Sequence, residues 1–301
     1  MIKAPQTDKI SLLVTDSGLG GLSVFADLVQ NLEKASPWPE VEMIYFNAWP
    51  EEDKGYNHYP DMAHRARVFQ NAMEAMAAFS PQKILIACNT LSVVYEHTPF
   101  AKAPPIPVTG IVDTGVTMMA KALKAHPEAG VIIFGTPTTA ESELHAKALM
   151  GHGISPDRII SQGCVNLAGN IERTPFAPRV EEMIFDNARQ AAQRAQRPFK
   201  KIYLGLCCTH FGYRKEVFSR AVEESMGIES AILNPNEAMA RAALPPVTPG
   251  AQGAKINLKI LTRVTWDTQR ISAYQNLFKS FPTVVEALKT HELNSKLFQI
   301  I

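Results

Sequence analysis

The chain has 301 residues, enough for two domains of about 150 each, and its 46% hydrophobic and 20% charged residues are those of a globular protein with a real core. Thirty Lys and Arg stand against 29 Asp and Glu, a net charge of +1, which offers no clustered basic excess for nucleic acid; the adjacent Lys200 and Lys201 read as a solvated turn. No apolar run reaches the roughly 18 residues of a membrane helix, and Met1–Lys9 lacks the charged, apolar, small-residue order of a secretion signal, so the expected compartment is the cytoplasm.

Short runs rich in Val, Ile and Leu predict strands at Ser11–Thr15, Val41–Phe46, Lys83–Ala87, Val108–Ile111, Gly130–Phe134, Lys201–Leu206, Ala231–Leu233 and Ile256–Val264. Helices are predicted between them, at Met62–Phe79, Thr138–Met150, Val180–Ala195, Lys215–Ser225 and Asn236–Ala243, with a helical tail from Asp267. Thr138 with Glu141 reads as a capping box. Two stretches break the rhythm: the polar, aromatic segment Asn47–Pro60 and the Pro/Gly-rich segment Leu244–Gly253. Strand–helix alternation predicts parallel sheets covered by helices.

The two halves echo one another. Lys83-Ile-Leu-Ile-Ala-Cys88-Asn-Thr is answered by Lys201-Ile-Tyr-Leu-Gly-Leu-Cys207-Cys208-Thr-His, each a Lys, an apolar strand, then Cys and Thr. The expected fold is therefore α/β, with two pseudo-symmetric domains of mainly parallel sheet and an active site at their interface. Residues 1–99 with 236–301 form the domain that carries Asp16 and Cys88, and 100–235 the domain that carries Cys208 and His210. In open α/β sheets, ligands bind at the strand C-terminal ends.

Four such ends hold residues with chemistry. Asp16-Ser17-Gly18-Leu19-Gly20-Gly21 is a Gly-rich turn into a helix whose N–H groups suit a carboxylate, and without a Lys-Ser/Thr it is no phosphate loop. Cys88-Asn89-Thr90 and Cys208-Thr209-His210 are matched thiol motifs. Read singly, a buried cysteine at a strand end is inert core. Paired in matched contexts, two thiols poised near neutrality by neighbours and helix dipoles serve as general base and general acid. Such a pair removes a proton from one face of a carbon and returns one to the other. Gly135-Thr136-Pro137-Thr138-Thr139 is the fourth, read either as an oxyanion cradle or as an ordinary helix cap. The four cysteines, with Cys164 and Cys207 read as bystanders, form no disulfide framework. A zinc site at Cys207, Cys208 and His210 has the wrong spacing, so neither metal nor cofactor is expected.

Together these segments resemble the glutamate racemase family, from about Ser11 to Ala243. Asp16-Ser17-Gly18-Leu19-Gly20-Gly21-Leu22-Ser23-Val24 is similar to that family's Asp-Ser-Gly-x-Gly-Gly-Leu-[Ser/Thr]-Val signature. Ala87-Cys88-Asn89-Thr90 and Cys208-Thr209-His210 are similar to its two cysteine motifs, and Gly135-Thr136-Pro137-Thr138 and Asn236–Arg241 fall in the expected order. The resemblance implies that Cys88 and Cys208 are the acid/base thiols, assisted by Asp16 and His210. It implies that Ser17, Asn89, Thr90 and Thr209 hold the amino and carboxylate groups of an amino acid; Thr136, from the turn read as an oxyanion cradle, is a further substrate-binding candidate. Glu172 stands where the family has an acidic residue near its second cysteine.

One departure is clear. The family's Asp-Thr/Asn-x-x-x-Pro-Tyr-Gly loop, which binds the substrate's side-chain carboxylate, is replaced by Asn47-Ala-Trp-Pro-Glu-Glu-Asp-Lys-Gly55-Tyr56-Asn57-His58-Tyr59, in which Gly55 and Tyr56 stand in. The tail beyond the family's usual end is a second, read as a surface cover or a support for oligomerisation. The expected function is cofactor-independent racemisation of an acidic amino acid, glutamate first, or aspartate or an analogue. In the cell this supplies a D-amino acid, as the family does for peptidoglycan. The alternative is a superfamily isomerase or decarboxylase acting on a maleate- or malonate-like diacid. The expected partner is a small amino-acid or dicarboxylate substrate, without nucleic acid or membrane; a homodimer is compatible with this reading.

Overall fold

The strands of both sheets pair in parallel in the computed structural model, which describes residues 9–52 and 54–300; the leader reading of Met1–Asp8, and Asp53 of the polar loop, lie outside the described residues. The strands are β1 (Lys9–Asp16), β2 (Glu40–Asn47), β3 (Lys83–Ile86), β4 (Val108–Gly110), β5 (Gly130–Gly135), β6 (Ile159–Gly163), β7 (Ile202–Cys207), β8 (Ser230–Leu233), β9 (Lys255–Thr262) and β10 (Glu292–Leu293). They form a six-stranded sheet in the order β10-β9-β2-β1-β3-β4 and a four-stranded sheet in the order β6-β5-β7-β8. The order β2-β1-β3-β4 repeats as β6-β5-β7-β8, so the echo in the sequence is an echo of topology.

The chain divides into two compact units, one up to Gly110 and again from Met239, the other Ile111–Ala238. The first unit runs through Gly110, beyond the expected boundary at residue 99, because β4 pairs with β3. The chain returns at Met239, beyond the expected 236 and inside the helix Pro235–Ala243.

Apolar runs become buried strands because each sheet is covered on its faces. In the first unit Leu13, Ile44, Phe46, Ile84 and Ile86 pack with Val68, Phe69, Ala72, Met73 and Met76, the apolar stripe of the helix Met62–Ala77. In the second unit Ile132, Phe134, Ile202, Leu204 and Leu206 face the helices Pro178–Gln193 and Lys215–Met226. On the opposite face Val131, Ile133 and Tyr203 meet the helix Ile111–Ala125. No helix among the described residues is long and apolar enough to cross a membrane.

Three local expectations are corrected. The predicted helix Thr138–Met150 is two helices, Pro137–Glu141 and Leu144–Gly151, broken where Glu143 takes a left-handed φ of 54°. Its cap is Thr136, whose hydroxyl accepts the Thr139 N–H, because Pro137 occupies the first helical position and Thr138 lies inside. The helical tail is interrupted at Phe281–Pro282 into the helices Thr268–Leu277 and Pro282–Lys289, followed by β10. β6 escaped prediction because Ile159–Gly163 has only two apolar residues.

The segment after Ala243 is part of the first sheet, not an appendage. Gly253 lies against the end of the helix Leu22–Lys34, where a Cβ would sit 1.9 Å from the Glu33 carbonyl oxygen, and Ala254 donates to the Leu32 carbonyl at 2.9 Å. This docking delivers β9 to the outer edge of β2, in register from Glu40↔Lys255 to Asn47↔Thr262.

Candidate active site

In the first unit, β1 and β3 are neighbours with Thr15 opposite Ile86, so their C-terminal ends set Asp16 and Ser17 beside Cys88. Ser17 Oγ lies 3.3 Å from Cys88 Sγ. Cys88 caps the helix Asn89–Tyr95, its sulfur accepting the Leu91 N–H at 3.4 Å. Asp16 is buried, and its carboxylate accepts the Gly18 N–H at 3.0 Å. Gly21 is required at its position, because a Cβ there would sit 2.7 Å from Asp16 Cβ and 2.9 Å from its carboxylate. Asn89 and Thr90 are buried in the first turn after Cys88.

Two residues to which the sequence reading gave no part in this turn hold it. Tyr45 donates its hydroxyl, and Asn47 its side-chain amide, to the Gly18 carbonyl at 2.7 and 2.8 Å. Both lie at the C-terminal end of β2, and only the β1–β2 register brings them to Gly18. Gly55 and Tyr56 lie on the neighbouring loop. Gly55 precedes the 3-10 turn Tyr56–His58, and Tyr56 is buried edge-on against Phe69 and Tyr59 in the same apolar cluster as Cys88.

The expected poise of the thiols near neutrality is not met at Cys88. Burial pushes this thiol up to about 12, and the like charge of Asp16 adds to the rise; the Ser17 hydroxyl and the N–H groups of Leu91 and Ser17 oppose it without overcoming it. That rise favours the thiol form of Cys88 at neutral pH, and its thiolate calls for added positive charge. Burial pushes Cys207 up to about 12 and Cys164 still further.

In the second unit, β5 and β7 are neighbours with Gly135 opposite Cys207, which places Thr136 beside Cys208 in sequence register. Strand alternation sends Cys207 and Cys208 to opposite faces: Cys207 packs with Val131 and Ile133, Cys208 with Phe134 and Phe211. That divergence removes the geometry a shared zinc would need, and no group of three metal-binding side chains is gathered among the described residues.

Beyond Cys208 the chain turns through the 3-10 segment Thr209–Arg214 and brings His210 back over the thiol, with Nδ1 3.9 Å from Sγ, a long contact even for sulfur. His210 Nε2 is 3.0 Å from Glu172 Oε2, and both side chains are buried. A carboxylate accepting the Nε2 proton favours the tautomer in which Nδ1 faces the sulfur as an acceptor. Asn236, buried at the start of its helix, donates to the Thr209 carbonyl at 3.0 Å and pins the turn. The resemblance singled out the Asn236–Arg241 segment, but the bond of Asn236 to Thr209 depends on a fold that brings the two together.

The Asp/Glu/Hydantoin racemase profile matches residues 13–243. The chain belongs to the Asp/Glu/Hydantoin racemase family. It is 29% identical over 235 residues to a glutamate racemase of Syntrophus aciditrophicus, covering 76% of this chain and 77% of the relative. It is 28% identical over 231 residues to that of Campylobacter jejuni, covering 75% and 81%. Among solved structures, the glutamate racemase of Campylobacter jejuni superposes with a TM-score of 0.65 at 19% identity, covering 91% of this chain and 98% of that one. The Francisella tularensis glutamate racemase, solved in complex with D-glutamate, gives 0.65 at 17% identity, covering 96% and 98%. The expected racemase class and α/β fold are thus borne out. The family match ends at residue 243, before β9, β10 and the last two helices.

Proposed function

We propose that this racemase interconverts the enantiomers of an acidic amino acid, glutamate first, by two-base proton transfer between Cys88 and Cys208 without a cofactor. The carrying observation is the repeated strand order: each thiol follows the third strand of the same four-strand arrangement, β3 in one unit and β7 in the other. The relatives support glutamate over a maleate- or malonate-like diacid, since both are glutamate racemases.

In one direction Cys88, its own proton first passed to Asp16, removes the α-proton as a thiolate. Its thiolate is stabilised by the Ser17 hydroxyl and the Leu91 N–H, and the arriving α-ammonium supplies the positive charge that offsets Asp16. Cys208 delivers its proton to the opposite face. In the reverse direction His210, oriented by Glu172, takes the Cys208 proton and so generates the second base. Asn89, Thr90 and Thr209 donate to the α-carboxylate and stabilise the charge that develops when the α-proton leaves, with Thr136 beside them. The Gly55–Tyr56 loop receives the side chain. The product feeds peptidoglycan synthesis in the cytoplasm.

Deuterium wash-in at Cα, followed by proton NMR, tests the scheme. Cys88→Ser and Cys208→Ser should each abolish inversion and retain exchange of a single enantiomer, opposite in the two variants, because a hydroxyl is a poor thiolate substitute. Racemisation by either variant at the unmodified rate refutes two-thiol chemistry.

A further inference from the structure

The loop that departs from the family pattern is tied down by the segment that lies beyond the family match. In the register of β2 with β9, Asn47 is opposite Thr262, so the chain leaving β2 and the chain leaving β9 emerge side by side. Two contacts and one electrostatic interaction join them. The Thr265 N–H donates to Glu52 Oε1 at 3.2 Å. The Arg270 guanidinium lies 5.0 Å from the centre of the Trp49 ring. Arg263 is within electrostatic reach of Glu51, Tyr56 and Tyr59, while Tyr59 donates its hydroxyl to Glu51 at 2.9 Å.

Arg270 is built into place. It is 6% exposed, and Asp267 both caps its helix and accepts from its guanidinium at 2.7 Å. A guanidinium withdrawn from water over an indole face is an energetically substantial anchor. Arg263 is held in turn over the Phe298 ring, 5.0 Å from its centre, and donates to the Phe298 carbonyl. The charge pattern has a consequence for an acidic substrate. Glu51, Glu52 and Asp53 against Lys54 make the loop acidic, and a side-chain carboxylate approaching it meets repulsion. Thr265 and Tyr59 occupy two of these carboxylates, and Arg263 supplies an opposing charge.

We propose that Arg263 and Arg270, in the C-terminal segment beyond the family match, are positioning residues for substrate specificity: they hold the 48–59 loop in the shape, and at the charge balance, that receives an acidic side chain. This rests on the reading of that loop as the side-chain selector.

The test uses the full chain with three variants, Arg270→Met, Arg270→Lys and Arg263→Gln, each checked for folding by circular dichroism. Met retains the aliphatic packing on Trp49 without the charge, so a folded variant is to be expected. Limited digestion with endoproteinase Lys-C reads cleavage after exposed Lys54, and steady-state kinetics read kcat and KM for glutamate. Arg270→Met should accelerate cleavage after Lys54 and raise KM, each by roughly tenfold, with kcat within about threefold; Arg270→Lys should recover part of both. Arg263→Gln should raise KM for glutamate more than for a neutral amino acid. A control variant replaces residues 49–57 with a Pro-Tyr-Gly loop. If this graft shifts the substrate ratio while the arginine variants move neither KM nor cleavage, the role of the C-terminal segment is refuted and the loop reading survives. If the graft also leaves the ratio unchanged in a folded protein, the loop is not the selector and the proposal falls with it.

Discussion

Glu172→Gln isolates one part of the proposed chemistry. The substitution conserves volume in a buried site and removes one negative charge, 3.0 Å from His210 Nε2. Two losses follow. When His210 takes the Cys208 proton it becomes an imidazolium, and its ion pair with Glu172 is replaced by a bond to a neutral amide, a difference of about 1–1.5 kcal/mol. The Gln amide can also donate to Nε2, which puts the imidazole proton on Nδ1 and removes the acceptor facing Cys208. Together these predict a fall in kcat/KM of about 10²-fold. Enantiomers have equal free energy, so the equilibrium constant is one and kcat/KM must fall equally in both directions. The asymmetry appears only in isotope exchange: in deuterium oxide, the enantiomer whose proton goes to Cys208 should lose wash-in, while the enantiomer served by Cys88 keeps it. His210→Asn should show the same asymmetry, and the double variant should be little worse than either single one, because the pair acts as a unit. Retention of kcat/KM within about threefold by Glu172→Gln, or equal loss of exchange from both enantiomers, would refute the relay.

Other consequences follow from the same geometry. Burial raises Cys88 and Cys207 from the ordinary thiol range to about 12, so between about pH 9 and 12 the unfolded chain sheds protons that the folded one keeps. Stability is therefore full below about pH 9 and falls above it, by about 1.4 kcal/mol per pH unit for each thiol; urea titrations at stepped pH should show a shallower fall for Cys207→Ala. Gly21→Ala forces a Cβ to within 2.7 Å of Asp16, so activity should drop at least tenfold through displacement of that carboxylate; an unchanged kcat/KM would show that the turn yields without consequence. Dialysis against a strong chelator should leave racemisation intact, and loss of activity restored by one specific metal would overturn a thiol-only mechanism.

The amount legible in the sequence depended on how local the physics was. Strands buried on both faces announce themselves as apolar runs, and eight were read within two residues of their ends because burial dictates composition directly. β6 carries only two apolar residues and was missed. Pro137 and the left-handed Glu143 show how the backbone overrides helical periodicity, splitting one expected helix. Both thiols and their polar neighbours were visible as repeated strand-end motifs, since parallel strands expose chemistry at their C-terminal ends. What no local pattern encodes is which strands become neighbours. The β1–β2 register alone recruits Tyr45 and Asn47 to the Gly18 carbonyl, and the close approach of separate helices and turns gives His210 its partner Glu172. The thiol charge state also belongs to the tertiary structure: a cysteine's ordinary acidity is fixed by its chemistry, but the loss of water around Cys88 and the nearness of Asp16 reverse the expected poise. The C-terminal segment follows the same rule. Its apolar run identifies β9 as a strand, but only the placement of β9 against β2 brings Arg263 and Arg270 to the loop that departs from the family.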